Sequence, residues 1–144
     1  MKRLLVMVVM LIAITSVRSV NAQSADCMKV TIPFAFDVAN QTLQAGDYQL
    51  RRSIERSRVV IQIRDKENQK SIYLPIHSAL GLEIQSISKL VFHHYGDQYF
   101  LSQVWFAGRS EGQELPKTKR EQTVQRNLAM KKRGAGIIEV ASNE

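Results

Sequence analysis

Leu90-Val91-Phe92-His93-His94-Tyr95-Gly96-Asp97-Gln98-Tyr99-Phe100-Leu101-Ser102-Gln103-Val104-Trp105-Phe106 is the stretch on which the fold turns. Leu90–Tyr95 and Tyr99–Phe106 are rich in apolar and aromatic residues, and Gly96-Asp97 between them suits the centre of a short hairpin loop. Side chains of a strand alternate between its faces, so Phe100, Val104 and Phe106 share one side and Tyr99, Leu101 and Trp105 the other. Large apolar groups on both sides predict a central strand covered on each face.

The same period of two recurs upstream. Val30, Ile32, Phe34, Phe36 and Val38 alternate with Lys29, Thr31, Pro33, Ala35 and Asp37, which predicts one half-buried strand, with Pro33 placing it at an edge or a bulge. Ala45-Gly46-Asp47 reads as a turn, because glycine accepts the positive φ of a tight reversal, and Tyr48 and Leu50 start the next strand. Val59, Ile61 and Ile63 are joined through the polar turn 65–69 to Ile72, Leu74 and Ile76 as an antiparallel hairpin. Ser78–Ser88 reads as a short strand or a packed loop, and Ala107–Leu115 as a polar surface loop.

Beyond Pro116, which suits a first helical turn, residues 117–132 contain good helix formers and no interior proline or glycine. Val124 and Leu128 form a thin apolar stripe that shares its face with Lys117, Glu121 and Lys131, so weak docking is expected. Gly134 and Gly136 end the helix, and Ile137–Val140 is a candidate last strand. The fold expected is all-β: an antiparallel sandwich or small barrel of about six to seven strands with one basic C-terminal α-helix.

At the other end, Lys2 and Arg3, the apolar run Leu4–Ile14 and the small-residue ending Val20-Asn21-Ala22 have the layout of an export signal. Thr15, Ser16 and Arg18 stop the run short of the 18–20 apolar residues, about, that a membrane span needs. The expected organisation is a signal peptide at 1–22, a β domain at 23–115, a basic helix at 116–133 and a tail at 134–144. Cleavage after Ala22 leaves 122 of 144 residues and, with Lys2, Arg3 and Arg18 gone, lowers the formal charge from +7 to +4. From residue 23 to 115 there are ten basic and ten acidic residues, and from 116 onward seven and three, so the surplus lies in the tail. The composition, 44% hydrophobic and 23% charged, is that of a folded domain. Cys27 is the single cysteine, so no disulfide forms within the chain, and Asp26 before it does not fit a lipid-attachment motif.

Gly108-Arg109-Ser110-Glu111-Gly112 matches the spacing of a nucleophile elbow. In that arrangement the histidine follows the serine, whereas His77, His93 and His94 all precede Ser110, so a polar loop is expected instead. Neighbouring strand residues face opposite ways, so His93 and His94 are not expected to share a metal ion. Tyr73, His77, His93, Tyr99 and Trp105 are the candidate ligand surface. Lys117, Lys119, Arg120, Arg126, Lys131, Lys132 and Arg133 are the candidate contacts to an anionic envelope surface, with another protein as the other candidate partner. Nucleic acid is disfavoured, because export removes it from the setting and no aromatic residue after Phe106 offers a stacking platform. No cofactor is expected. Asn40-Gln41-Thr42 fits the glycosylation pattern, with a turn asparagine as the plainer account.

Val30-Thr31-Ile32-Pro33-Phe34-Ala35-Phe36 with Leu43-Gln44-Ala45-Gly46-Asp47-Tyr48 resembles the opening of a group of small, uncharacterised exported bacterial proteins common in acidobacteria. That group has an Ile-Pro-Phe-x-Phe strand followed by a Leu-Pro-Ala-Gly-Glu-Tyr turn, in which Gln44 and Asp47 here replace Pro and Glu. Leu90–Asp97, Tyr99-Phe100-Leu101 and Glu114-Leu115-Pro116-Lys117 also resemble its pattern. The resemblance implies export and a compact β domain and carries over no site residue. The function expected is an exported non-enzymatic binding or structural module. The alternatives are an envelope-associated protein held by its cationic helix, and a small hydrolase or metal-dependent enzyme.

Overall fold

The computed structural model describes residues 26–56, 58–67, 70–130 and 134–143. The expected signal at 1–22 and the basic run 131–133 lie outside the described residues. Within them, eleven strands and one helix follow in the order β1 (Cys27–Ile32), β2 (Phe36–Val38), β3 (Gln41–Leu43), β4 (Gly46–Glu55), β5 (Arg58–Asp65), β6 (Ser71–Leu74), β7 (His77–Leu80), β8 (Lys89–Tyr95), β9 (Gln98–Trp105), β10 (Glu111–Glu114), α1 (Lys119–Met130) and β11 (Ala135–Ala141). The count exceeds the expected six or seven because several strands are only three or four residues long.

Two sheets face each other. The smaller has the antiparallel order β1-β4-β5-β6, and the larger runs β11-β8-β9-β10-β7, with the β2–β3 hairpin attached through a parallel bridge from Asp37 to Phe100. One edge of β9 is therefore shared, with β10 along its end and β2 along its start. Met28, Val30, Ile32, Tyr48, Leu50, Ile61, Ile63 and Leu74 from the smaller sheet are buried against Leu90, Phe92, Leu101, Val104 and Phe106 from the larger. Phe36 stands between the layers, edge-on to Tyr48 at 5.4 Å on one side and to Phe92 at 5.4 Å on the other. Burial of this apolar surface is the main driving term for the fold. The two sheets do not close into a barrel, since β6 and β7 follow each other in sequence but belong to different sheets.

The alternating run from Val30 to Val38 is not one strand. Pro33 has no amide hydrogen to continue a ladder, and residues 33–35 carry the chain from β1 in the smaller sheet to β2 in the larger. The expected positive-φ turn at Gly46 is also relocated. Gly46 already belongs to β4, whereas Ala39 (φ 47°) and Asn40 (φ 64°) adopt the left-handed conformation and reverse the chain between β2 and β3. Ala107–Leu115 contains β10, with Gly112, Gln113 and Leu115 buried, so it is a surface loop only at its start. The hairpins β5–β6 and β8–β9 form as read, the latter around Gly96 at φ 62°.

The face assignment in β9 changes because the β8–β9 ladder slips. Val91 pairs with Gln103 but Phe92 pairs with Leu101, which leaves Ser102 as the extra residue of a β-bulge. A one-residue slip exchanges the faces of everything beyond it. Leu101 and Tyr99 therefore join Val104 and Phe106 on the inter-sheet side, and Phe100 joins Val91, His93 and Tyr95 on the outer side.

Candidate functional site

The outer side of β8–β9 is where α1 docks. Thr118, not Pro116, marks the helix start: its Oγ1 accepts the backbone N–H of Glu121 at 3.1 Å, satisfying one of the free amides of the first turn. Thr118-Lys119-Arg120-Glu121 fits a capping box, in which the glutamate would reach back to the cap residue. Here Glu121 points into the sheet instead, and at 4% exposure it is the most buried residue of α1. Val124 and Leu128 continue the inward stripe at the expected one-turn spacing.

A polar relay holds this contact together. Glu121 Oε1 lies 2.6 Å from His93 Nδ1 and accepts the Tyr95 hydroxyl at 3.3 Å. His93 Nε2 lies 3.2 Å from Ser102 Oγ, the bulge residue. Lys117 Nζ donates to the Tyr95 hydroxyl at 3.5 Å and to Gln125 Oε1 at 3.2 Å. Burial pushes the Tyr95 phenol above the usual tyrosine range, and the Glu121 carboxylate adds to the rise. Ser102, His93 and Glu121 stand in the order of a nucleophile, base and orienting carboxylate. Ser102 is only 4% exposed and takes no part in lining the neighbouring cleft, so the relay acts as a clasp for the helix rather than as an open catalytic centre.

Beside the clasp lies a cleft of about 310 Å³ between the first turn of α1 and the β2–β3 turn. Val38, Phe100, Leu101 and Leu115 contribute apolar walls, and Asp37, Lys117, Thr118 and Glu121 contribute polar groups. A second link fixes its far rim: Arg120 Nη1 donates to Asp37 Oδ1 at 2.9 Å and to Thr42 Oγ1 at 3.1 Å, while the Thr42 hydroxyl donates to the same Asp37 oxygen. Consecutive helix residues, Arg120 and Glu121, thus tie α1 to β2 and to β8.

The candidate ligand surface read from the sequence does not converge. Tyr73 is 61% exposed on the outer side of β6, and His77 is exposed on β7 opposite Glu114. Tyr99 is stacked between Phe34 at 4.0 Å and His94 at 4.8 Å. Trp105 lies over the backbone of Gly81 and Gly112, with its Nε1 donating to Gln103 Oε1 at 2.9 Å. Of the five, His93 alone belongs to the relay under α1. His93 and His94 do face opposite ways, as strand alternation requires.

Among the candidate cationic contacts, Lys117 and Arg120 are engaged internally, Lys119 and Arg126 are exposed, and Lys131, Lys132 and Arg133 lie outside the described residues. The carbonyl of Ser110 accepts the N–H of Gly81, which binds the elbow-like loop to the segment after β7. Cys27 is a partly buried free thiol whose sulfur accepts Gln49 Nε2 at 3.2 Å. No three His, Cys, Asp or Glu side chains come together as a metal centre among the described residues. Sequence reasoning missed Ser102 and Asp37 as site residues. The capping-box pattern flags Glu121, but nothing local to the sequence announces the bulge that turns Ser102 toward His93.

The fold and site define a β-sandwich-like protein in which the one helix among the described residues is clasped to the outer side of the larger sheet. No protein-family model, no curated protein and no solved structure matches this chain. Among the described residues no helix is long and apolar enough to cross a membrane.

Proposed function

We propose that the chain is an exported, non-enzymatic binding module that takes a small ligand, with an apolar body and one anionic group, in the cleft under the start of α1. The pattern of residues 1–22 supports export. The single observation that carries the binding reading is the cleft itself: apolar walls with a few converging polar groups at one end make the ordinary form of a small-molecule site. Lys117 Nζ and the positive end of α1 would receive the anionic group, and Phe100, Leu101 and Leu115 the apolar body.

The alternative, an envelope-associated protein held by its cationic segment, draws on one charge fewer than the sequence suggests, since Arg120 is paired with Asp37 within the molecule. The hydrolase alternative has its best arrangement at Ser102, whose hydroxyl is enclosed.

A thermal-shift screen of the mature chain against small aryl and alkyl carboxylates, with the matching amines as contrast, tests the binding reading. Carboxylates should raise the melting temperature, and Lys117→Ala should weaken their binding by about tenfold. Equal responses to carboxylates and amines, or full retention of binding in Lys117→Ala, would remove the reading.

A further inference from the structure

The outer side of the smaller sheet carries a feature the cleft does not use. Register across β1, β4, β5 and β6 places Lys29, Gln49, Arg64 and Ser71 in one row and Cys27, Arg51, Gln62 and Tyr73 in the next. All eight residues are partly or fully exposed, because their strand neighbours supply the inter-sheet core. The two rows hold three cationic side chains and no carboxylate. The nearest acid along β4, Asp47, is occupied by Lys66 at 3.7 Å and by the Thr31 hydroxyl at 2.5 Å.

The kind of donor is as informative as the charge. Gln49, Arg51, Gln62 and Arg64 surround a hollow of about 130 Å³ in the middle of the face. A guanidinium presents a planar fork that matches a carboxylate, and a carboxamide both donates and accepts, as a sugar hydroxyl requires. Tyr73, 61% exposed at the edge of the sheet, adds an aromatic surface for the apolar C–H side of a sugar ring.

The strands hold this set on a rigid ladder rather than on mobile loops. Single-stranded nucleic acid calls for aromatic side chains that stack successive bases, and this face has one. A lipid surface calls for an apolar fringe, which the two rows lack.

We propose that the outer face of the smaller sheet binds an acidic polysaccharide of the uronate class, with Arg51 receiving a carboxylate, Gln49 and Gln62 the hydroxyls, and Tyr73 a ring face. This site is separate from the cleft under α1 and does not depend on it.

The test measures binding of the purified protein to polygalacturonate, with neutral dextran and inorganic polyphosphate as comparison polymers. Polygalacturonate should bind and dextran should not. Arg51→Gln should weaken binding about tenfold, and Arg51→Lys nearly as much, because charge without the fork is insufficient. Tyr73→Ala should weaken it severalfold, while Arg126→Gln, which removes one charge from the exposed side of α1, should leave it within about twofold. Unchanged circular dichroism of each variant separates binding from folding. Three results overturn the proposal: no binding of polygalacturonate, polyphosphate bound equally well, or Arg126→Gln and Arg51→Gln costing the same.

Discussion

Gln113 is 1% exposed on the inter-sheet side of β10, opposite Val104, and neither its Oε1 nor its Nε2 meets a protein partner. A buried amide without a partner is a cost carried by the fold. Gln113→Met keeps the length of the side chain and removes the polar atoms. It should raise stability by about 1 kcal/mol, read as a higher urea midpoint at unchanged slope, and a lower midpoint would contradict this account.

Gly112 sits on the opposite side of the same strand, where a Cβ would fall 2.6 Å from the Trp105 ring. Because the neighbour is a rigid indole packed on backbone, Gly112→Ala should cost about 1–3 kcal/mol. It should also shift the emission of Trp105, the single tryptophan. These neighbours explain why Ala107–Leu115 looked like a loop. Its glycine and glutamine read as solvated chain, yet one leaves room for an indole and the other is enclosed between sheets.

At the scale of elements, α1 is held by polar groups rather than by its thin apolar stripe. Weak docking was the expectation from Lys117 and Glu121 lying beside Val124 and Leu128, and that reading treated their charges only as a hindrance. Glu121 instead finds His93 and Tyr95, and Arg120 finds Asp37. Glu121→Ala should cost about 1–3 kcal/mol by leaving the Tyr95 hydroxyl and His93 Nδ1 without their acceptor. Hydrogen exchange should then show faster exchange across α1 with β8 and β9 still protected; equal protection of α1 in both proteins would mean the clasp is not what holds it.

The hairpin halves and the helix were legible because period two and helix-forming composition are local properties. The bulge at Ser102 was not, since a slipped register is decided by which pairing best fills the space between two sheets. That one residue moved Phe100 to the helix side and Tyr99 and Leu101 to the core, and with it the candidate site.

Over the whole molecule, two buried phenols link stability to pH. Burial is the larger cause of the raised Tyr48 pKa, with Asp65 and Glu67 adding to it, and Tyr95 is raised by burial and then Glu121. A phenol whose pKa is higher in the folded chain than in the unfolded one contributes stability that is fully present below about pH 10 and lost as pH rises through the folded value. Urea midpoints should therefore fall on the alkaline side, and Tyr48→Phe with Tyr95→Phe should flatten that fall. An alkaline limb of the same steepness in the double variant would assign it to other groups.

The seam between the ends of the described chain sets the order of events in folding. Asn143 donates its backbone N–H to the Lys29 carbonyl at 2.8 Å and its side-chain Nδ2 to Thr31 Oγ1, a contact spanning 112 residues of sequence. Such closure has a large entropic cost and belongs late on the pathway. Until residues 135–141 are in place, β8 keeps an open edge and the Lys29 carbonyl lacks the donor that Asn143 brings, so one segment seals both the edge of the larger sheet and the β1 end of the smaller.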